Sequence, residues 1–361
     1  MFERRLYHHV DWGLMAALLA LCVIGITQIY SATGGWTQIV QTQIYGVVIG
    51  VIALVICLSI DYRSMADKSH FIYVAIVALL LYVLFFGAVR GGSRRWIDLG
   101  SFNLQPSEFA KAALALVLAK FLGESRRGII TYVDLIMVGA ITAVPLFIIA
   151  RQPDLGTAAT LIPVAFAVAF VAGMPLRLLG VLALVGLLAA PLAWQFALQD
   201  YQKERIETFL DPSQDARGAG YQQIQARITV GSGGPWGKGF TEGTQGQLRF
   251  LPVAHNDFIF SVLAEEQGFA GVIVALGLYL FVILRALESA RLAKDRLGAY
   301  LVLGVLASFT FQVIYNITMS AGLAPVKGLT LPLMSYGGSS MIATLAGFGL
   351  ILNVRMRRFT N

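Results

Sequence analysis

The chain has 361 residues, of which 57% are hydrophobic and only 13% are charged. Soluble domains carry about 25% charged residues, so this composition excludes an ordinary soluble enzyme and favours a polytopic membrane protein. The net charge of +7 suits contact with anionic lipid headgroups. No basic patch interleaved with aromatic residues indicates a nucleic-acid partner. Cys22 and Cys57 both lie inside apolar runs, and we expect them to stay unpaired.

Apolar stretches of about 20 residues predict membrane-spanning helices. The first one follows charged residues, as in a signal peptide, but its length favours a retained first span. We predict an all-α polytopic membrane protein that forms a single domain over residues 1–361, with a long outer loop near 199–256 between spans seven and eight. The ten stretches lie near residues 11–31, 38–60, 69–89, 106–123, 130–150, 155–173, 176–198, 258–287, 297–321 and 332–354.

The distribution of Lys and Arg over the short loops predicts the orientation. With the N-terminus in the cytoplasm, the inner segments hold fourteen basic residues and the short outer loops hold five. The asymmetry predicts that both termini lie in the cytoplasm and that the long loop lies outside. The inner residues are Arg4, Arg5, Arg63, Lys68, Arg126, Arg127, Arg177, Arg285, Arg291, Lys294, Arg296, Arg355, Arg357 and Arg358, and the outer ones are Arg90, Arg94, Arg95, Arg151 and Lys327.

An acidic residue stands where the long polar loop ends and a new apolar run begins. Asp257 follows His255 and Asn256 at this point. An ionisable residue at the mouth of a membrane helix is a functional candidate, and we predict that Asp257 is a catalytic base. The helix N-terminus should favour its ionised form, whereas partial desolvation should oppose it. The alternative is that Asp257 only caps the eighth span.

A charged pair opens the fourth span. Glu108 and Lys111 are three residues apart, so they share one face of the helix about one turn inside the membrane. Because charge there is costly, we predict that the pair lines a cavity between spans four and eight. The alternative is a buried ion pair that only fixes packing. We expect Ser107 to cap this helix and Pro106 to fix its first turn.

Two outer loops carry cations that suit a phosphate. Arg95 lies in the segment GGSRRWI, and its fork-shaped guanidinium could clamp a phosphate oxygen, although an interfacial anchor is equally consistent with the pattern. Arg151 and Asp154 lie in the tight turn between spans five and six. Arg151 adds a second outer cation, and Asp154 could instead cap the sixth helix.

The long loop adds further candidates. Arg205 lies in a segment that predicts a short amphipathic helix ended by a turn at Asp211. Lys238 lies in the glycine-rich run 231–239, whose backbone N–H groups could approach a pyrophosphate, although flexible loops share this composition.

The eighth and tenth spans contain polar residues for which structural explanations lead. Glu265 and Glu266 favour hydrogen bonds inside the bundle, the alternative being a cavity or a cationic partner. Ser335 lies in the segment LPLMSYGGSS, where Pro and small residues favour a broken helix and close packing.

Taken in chain order, several segments resemble the SEDS family of shape, elongation, division and sporulation proteins. The resemblance runs from about residue 90 to about residue 345 and is most similar to the elongation members, of the RodA type, rather than to the division members, of the FtsW type. The family more often has Thr or Ser where this chain has Asn256, but the acidic position is intact. The segments are GGSRRWI, QPSEFAK, RQPDLGTA, GYQ, GSGG, GKG, HNDFIF, LAEEQGFAG and LPLMSYGGSS.

The resemblance implies a peptidoglycan glycosyltransferase that polymerises lipid II on the outer face of the bacterial cytoplasmic membrane. It implies a class B penicillin-binding protein as partner, together with other proteins of the elongation complex. It places the family's essential Asp at Asp257 and its important Glu and Lys at Glu108 and Lys111. The residues expected to contact the substrate are Arg95, Arg151, Asp154, Arg205, Lys238, His255 and Ser335.

The residues agree with such a reaction. No Walker A loop or dinucleotide fingerprint occurs, and the histidines are not at metal-ligand spacing. A lipid-linked donor carries its own activation as a pyrophosphate, which cations must neutralise, with a divalent cation such as Mg²⁺ as a further candidate. Two alternatives stay open. One is a flippase, which predicts a polar path to the cytoplasmic side, and the other is a scaffold for the transpeptidase.

Overall fold

The computed structural model describes residues 9–90, 93–98, 100, 103–125, 130–197, 200–215, 218–247 and 250–359. Arg4, Arg5, Arg126 and Arg127, four of the basic residues that predict the orientation, lie outside the described residues. The α-helices are α1 (Trp12–Ala32), α2 (Gln38–Ser59), α3 (Tyr62–Asp67), α4 (Ser69–Phe86), α5 (Pro106–Gly123), α6 (Tyr132–Arg151), α7 (Leu155–Val171), α8 (Leu176–Leu192), α9 (Asp200–Leu210), α10 (Ala219–Ser232), α11 (Thr244–Gln247), α12 (Ile259–Arg291), α13 (Arg296–Ser320) and α14 (Gly338–Met356). The strands are β1 (Ala88–Arg90), β2 (Ser93–Asp98) and β3 (Asn103–Leu104). Ala193–Ala197 form a π-helical turn, and Pro212–Gln214 and Arg357–Phe359 form 3₁₀ turns.

Each predicted apolar stretch contains one long helix. Among the described residues, seven helices are long and apolar enough to cross a membrane, namely α1, α2, α4, α6, α12, α13 and α14. The helices α7 and α8 are apolar but shorter, and α5 carries the charged residues Glu108, Lys111 and Lys120. The polytopic all-α class is therefore confirmed. The number of ten spans and the side on which each loop lies stay predictions.

The core is centred on α14, which packs most extensively against α2. Small residues let the two backbones approach, as in other membrane helix pairs. A Cβ on Gly349 would lie 2.6 Å from the carbonyl oxygen of Leu54, and a Cβ on Gly50 would lie 2.6 Å from Cδ1 of Leu345. The last span is thus enclosed by the bundle rather than exposed to lipid.

Local signals identified several helix ends correctly, and two predictions there are wrong. Asp154 caps α7 by accepting a hydrogen bond from the Thr157 amide (3.2 Å), as predicted. Ser107 does not cap α5, because the N-cap is Gln105, whose side-chain amide donates to Ser107 Oγ (3.0 Å). The last span begins at Gly338 rather than near residue 332, since residues 331–337 form turns.

The loop before α5 folds as a small antiparallel sheet in the order β1-β2-β3. The sequence patterns did not predict these strands, because they are only two to six residues long. The sheet places Arg94 and Arg95 on alternate sides of β2, since successive side chains in a strand point to opposite faces. Arg94 is exposed and donates to the Phe85 carbonyl (3.1 Å), whereas Arg95 turns toward the N-terminus of α7.

The glycine-rich run closes a break in α12. The break falls at Gly268, whose φ of 63° and ψ of −163° are not helical. Two carbonyl groups and two amide groups of α12 lose their helical partners there and bind the backbone of the glycine-rich run instead. The bonds run from Lys238 N to Glu265 O (3.0 Å), Gly239 N to Glu266 O (3.0 Å), Phe269 N to Gly234 O (2.9 Å) and Ala270 N to Pro235 O (3.1 Å).

These bonds correct one prediction. The backbone amides of Lys238 and Gly239 are used by α12, so they are not available to a pyrophosphate. The same contact explains why glycine is needed at positions 237 and 268. A Cβ on Gly268 would lie 2.1 Å from Gly237 N, and a Cβ on Gly237 would lie 2.1 Å from Glu266 O. The run is a structural insertion into a broken membrane helix.

Replacing Gly268 by Ala should therefore destabilise the protein. The backbone conformation alone costs about 1–3 kcal/mol for a residue with a Cβ, and the clash with Gly237 adds to it. Thermal unfolding of the purified protein should show a lower midpoint, and proteolysis of the long loop should be faster. Gly277→Ala is the matched control, because it lies in the same helix with no atom within 4 Å of the added Cβ. Equal midpoints for the two variants would contradict the assignment of the break.

Candidate functional site

A pocket of about 400 Å³ opens at the end of the bundle where α5, α7 and α12 begin. It contains the acidic side chains Asp257, Glu108 and Asp154 and the cation Arg95. Most of the other lining residues are polar or glycine, with Trp96, Leu329 and Tyr336 as the large exceptions. The full set of other lining residues is Thr42, Ser93, Trp96, Asn103, Gln105, Thr157, Asn256, Gly328, Leu329, Thr330, Tyr336, Gly337, Gly338, Ser339 and Ser340. Residues that are up to about 300 positions apart in the chain thus meet around one cavity.

Asp257 lies on the wall of this pocket, two residues before α12. Its Oδ1 is buried and has no hydrogen-bond partner among the described residues. The backbone is fixed instead, because the Asn316 side-chain amide donates to the carbonyl oxygens of Asp257 (2.9 Å) and Leu329 (2.7 Å). The N-cap of α12 is Phe258, which makes no side-chain cap bond, so Asp257 does not cap the helix. A fixed backbone with an unpaired carboxylate leaves that oxygen available to a ligand.

The electrostatics of Asp257 differ from the sequence expectation. Burial raises its pKa to about 6, and the nearby Arg95 and Arg205 oppose this increase only in part. Desolvation therefore outweighs the stabilisation expected from the helix N-terminus. A carboxylate with a pKa of about 6 is still mostly ionised at pH 7, and it binds a proton more strongly than an ordinary Asp. Both properties suit a general base.

The charged pair of α5 lies at the floor of the pocket. Lys111 Nζ donates to Glu108 Oε2 (2.7 Å), as the spacing predicts, and to Gln312 Oε1 on α13 (2.9 Å). Only Glu108 lines the pocket of Asp257. Lys111 lies behind it and lines a separate cavity of about 20 Å³, so the prediction that both residues form the wall is wrong for Lys111. Lys111 can act on the pocket only through Glu108.

Arg95 and Asp154 form the opposite side. Arg95 Nη1 lies 3.6 Å from Asp154 Oδ1, and its Nη2 donates to the Pro153 carbonyl (2.5 Å). The Gln105 side chain donates to Asp154 Oδ2 (3.0 Å). These contacts fix the guanidinium at the pocket edge, where it can bind an anion. Arg95 is therefore a pocket residue in addition to being a loop anchor.

This pocket is not lined by five of the predicted substrate residues, namely Arg151, Arg205, Lys238, Ser335 and His255. Arg151 is exposed and covers the Phe147 ring at 4.7 Å, and Arg205 on α9 acts on Asp257 only at a distance. Lys238 Nζ donates to Glu265 Oε1 (2.6 Å) and Thr244 Oγ1. Ser335 Oγ accepts from the Leu331 amide (2.8 Å) in the turn before α14. The contacts of Lys238 and Ser335 are structural.

His255 lies between two cavities. Its carbonyl oxygen accepts a hydrogen bond from the Tyr336 amide (3.0 Å), and its ring contacts the Tyr336 ring edge-on at 5.8 Å. Burial lowers the pKa of the imidazole, so it is neutral at pH 7. Tyr336 lines the pocket of Asp257, whereas His255 lines a neighbouring cavity.

Three amide side chains that hold residues of the site were not among the predicted site residues. Gln312 and Gln105 hold Lys111 and Asp154, and Asn316 holds the backbone of Asp257. A polar residue inside a membrane helix is expensive, and this cost was the signal that could have identified Gln312 and Asn316. No local signal indicates which partner such a residue binds.

The acidic residues of the pocket do not form a metal site built from protein ligands alone. Glu108 is paired with Lys111, and Asp154 is paired with Arg95. Across the described ranges, no group of three or more His, Cys, Asp or Glu side chains is arranged to hold a metal ion. We therefore derive no step through Mg²⁺.

The fold and the pocket together define a class of protein. It is a polytopic helical membrane protein with a polar, carboxylate-containing pocket at one end of its bundle. Residues 9–359 match the FtsW/RodA/SpoVE family, described as cell cycle protein. The chain belongs to this family, as the ordered motifs predicted.

Curated relatives cover nearly the whole chain. The peptidoglycan glycosyltransferase MrdB of Escherichia coli K12 is 38% identical over 97% of this chain and 94% of its own length. Stage V sporulation protein E of Bacillus subtilis is 36% identical over 95% of this chain and 96% of its own length.

Solved structures agree with the fold. A chain from a structure described as "Structural coordination of polymerization and crosslinking by a peptidoglycan synthase complex" matches with a TM-score of 0.85 at 33% identity, covering 98% of this chain and 99% of that chain. The rod shape determining protein RodA of Thermus thermophilus matches with a TM-score of 0.74 at 32% identity, covering 98% of both chains.

Proposed function

We propose that this chain is a peptidoglycan glycosyltransferase that polymerises lipid II into glycan strands, acting as a single membrane domain. The observation that carries the proposal is the unpaired carboxylate of Asp257 in a pocket that also presents the Arg95 guanidinium. The names of the relatives support the same activity, since one of them is a peptidoglycan glycosyltransferase. The resemblance to RodA-type members supports a role in cell elongation.

The chemistry requires one base and one anion-binding group. Asp257 accepts the proton of the acceptor hydroxyl as its oxygen attacks the anomeric carbon of the donor sugar. The bond from that carbon to the pyrophosphate oxygen breaks, and undecaprenyl pyrophosphate leaves with the electron pair. Arg95 stabilises the charge that develops on the leaving group. Direct displacement on an α-linked donor gives a β-linked product with inversion, and Asp257 later releases its proton to water.

Glu108 and Lys111 have different roles in this arrangement. Glu108 touches the pocket and presents one carboxylate to the substrate. Lys111 is a positioning residue, because it acts on the pocket only through its bond to Glu108, while Gln312 holds its ammonium group from behind. Polymer formation by the purified protein from lipid II alone tests the proposed activity.

The same assay separates the proposal from its alternatives. A flippase would move lipid II without forming polymer, and a scaffold would do neither. Ion pairs join the helices at the end of the bundle opposite the pocket. This closed end does not favour the polar path to the cytoplasmic side that a flippase needs. Arg285 donates to both oxygens of Asp11 (3.0 Å each), and Arg355 Nη1 lies 3.1 Å from both Asp11 Oδ2 and Glu288 Oε2.

We place the pocket on the outer face of the bacterial cytoplasmic membrane, with both termini inside. The support is the asymmetry of basic residues in the short loops. Single cysteines should therefore react with a membrane-impermeant maleimide at Gln214, in the long loop, and not at Lys294, between α12 and α13. The native cysteines Cys22 and Cys57 lie in α1 and α2, so labelling of the unsubstituted protein measures the background. The reverse labelling pattern would place the chemistry in the cytoplasm.

We also propose that a class B penicillin-binding protein docks on the membrane face of α12 and α13. The part of α12 that follows the break exposes Phe269, Ile273 and Val274, which a single partner helix can cover. A related structure concerns a peptidoglycan synthase complex, which supports such a partner. Photocrosslinkers at Ile273 should capture the partner, whereas crosslinks confined to cytoplasmic loops would contradict this placement.

We also expect the side of the pocket that faces the membrane to admit the polyprenyl tail of the substrate.

The pKa of Asp257 predicts the pH dependence of the reaction. A base must be ionised, so kcat/KM should rise with pH and level off above a pKa of about 6. Because the Arg95 charge lowers this pKa, Arg95→Gln should move the inflection to higher pH. Arg94→Gln is the matched control, since Arg94 lies next to it and outside the pocket. An inflection that is unchanged in Arg95→Gln would show that another group titrates.

A further inference from the structure

A second cavity of about 600 Å³ lies at the same end of the bundle as the Asp257 pocket. One wall is the turn between α1 and α2, and the other is the end of the long loop. Its volume is in the range of small-molecule sites. The lining residues are Ala32, Thr33, Gly34, Thr37, Ile39, Gly246, Leu251, Pro252, Val253, Ala254 and His255.

Residues 255–257 and Tyr336 separate the two cavities and form a partition between them. On one side His255 lines the second cavity, and on the other Asn256, Asp257 and Tyr336 line the first. The partition is fixed by the Tyr336 amide, which donates to the His255 carbonyl (3.0 Å). Gln43 on α2 holds the chain on both sides of Tyr336, because it donates to the Ser335 carbonyl (3.1 Å) and accepts from the Gly337 amide (3.1 Å).

The chemistry of the two cavities differs. Four charged side chains line the first, whereas none of the described residues that line the second is Asp, Glu, Lys or Arg. The second cavity offers backbone groups, the His255 ring and the hydroxyl oxygens of Thr33 and Thr37 as acceptors, since Thr33 Oγ1 donates to Ile29 O (2.9 Å) and Thr37 Oγ1 donates to Thr33 Oγ1 (3.2 Å). A neutral imidazole both donates and accepts hydrogen bonds, as sugar hydroxyl and acetamido groups also do. This surface suits a neutral polar ligand and provides no charge for a diphosphate.

We propose that the second cavity binds the saccharide part of the glycan strand next to the reacting sugar. The assignment rests on the proposed function, and it assigns different parts of the substrate to the two cavities. The charged cavity takes the reacting centre and the diphosphate, and the neutral cavity takes sugar units that carry no diphosphate. Trp36 lies on the same α1–α2 turn and is 65% exposed.

Two threonines provide a matched test, Thr37 at the N-cap of α2 and Thr42 in its second turn. Thr37 lines the second cavity and Thr42 lines the first, and both are half-buried. Each is replaced singly by Cys, and the rate of reaction with a membrane-impermeant maleimide is measured. The probes are a lipid-free peptidoglycan tetrasaccharide with its stem peptides, and inorganic pyrophosphate.

We expect the tetrasaccharide to slow labelling of Thr37→Cys by about tenfold at ten times its dissociation constant, since only the free protein reacts. Pyrophosphate should protect Thr42→Cys and leave Thr37→Cys unprotected. No protection of Thr37→Cys by the tetrasaccharide, or equal protection of both cysteines, would overturn the proposal. The unsubstituted protein is assayed with lipid II in parallel. If the protein forms polymer but the tetrasaccharide does not protect Thr37→Cys, only this inference is contradicted. If no polymer forms, the proposed function is contradicted.

Filling the cavity gives a second measurement. Thr37→Trp should shorten the glycan strands, because the bulky side chain fills the cavity and removes its contacts with sugars of the strand. Strands of wild-type length from a folded Thr37→Trp protein would contradict the assignment.

Discussion

Replacing Asp257 by Asn should lower the rate of lipid II polymerisation by about 10²–10⁴-fold, the usual effect of losing a general base. The amide keeps the shape of the side chain but cannot accept the hydroxyl proton. Stability should not fall, because Oδ1 has no hydrogen-bond partner to lose and the variant no longer buries a charge. The measurements are polymer length and rate on gels and the thermal unfolding midpoint of the same preparation.

Asp98→Asn is the control for this experiment. Asp98 is an exposed acid on β2, and it does not line the pocket. Its variant should polymerise at the wild-type rate. If the Asp257→Asn protein also polymerised at that rate, the base would be another group, and the pocket would serve only to bind substrate. The Asn variant should still bind its transpeptidase, because the partner contacts we propose lie on the membrane face of α12 and α13.

Replacing Lys111 by Met should destabilise the protein by about 3–5 kcal/mol, because it leaves the Glu108 carboxylate buried without its cation. Gln312 Oε1 loses its donor in the same step. Thermal unfolding should show a clearly lower midpoint, and polymerisation should fall as well. Lys120→Met is the matched control in the same helix. Lys120 is paired with Asp67 and Glu124, which are both largely exposed, so its loss should cost at most about 1 kcal/mol.

A double variant separates packing from function at this pair. Glu108→Gln combined with Lys111→Met removes both charges while keeping similar volumes, and such replacements are often neutral for stability. We expect the unfolding midpoint to recover while polymerisation stays low, since Glu108 is the member that touches the pocket. Recovery of both stability and polymerisation would show that the pair has only a structural role.

Much of this protein follows from local sequence signals. Runs of apolar residues located the long helices, because a membrane helix must satisfy its own backbone and face lipid along its length. The spacing of Glu108 and Lys111 predicted their contact (2.7 Å), since residues three apart share a helix face. The sequence offered a helix cap as one of two roles for Asp154, and the structure shows the cap bond, which a local signal can indicate because capping involves only the next three residues. The ordered motifs identified the family, which the comparisons confirm.

The sequence could not show how the long loop is used. Its glycine-rich run looked like a pyrophosphate cradle, and the structure places it in the break of α12 at Gly268. Lys238 looked like a substrate cation, and it binds Glu265 instead. Both contacts join segments about 30 residues apart, and no periodicity or propensity encodes which distant partner a polar group will find.

The tertiary structure alone decided which polar residues share the pocket and what state Asp257 adopts there. The sequence indicated two opposing effects on Asp257, the helix N-terminus and desolvation, and its pKa of about 6 reflects burial in a pocket lined by segments of α2, β2, α5, α7 and the turn before α14. Arg95 reaches the pocket and Lys111 does not, although both were predicted to do so. Composition and spacing determine which groups enter the membrane, because the cost of exposing them to lipid is local. Which groups face one another depends on helix packing, because desolvation and pairing are set by every neighbour at once.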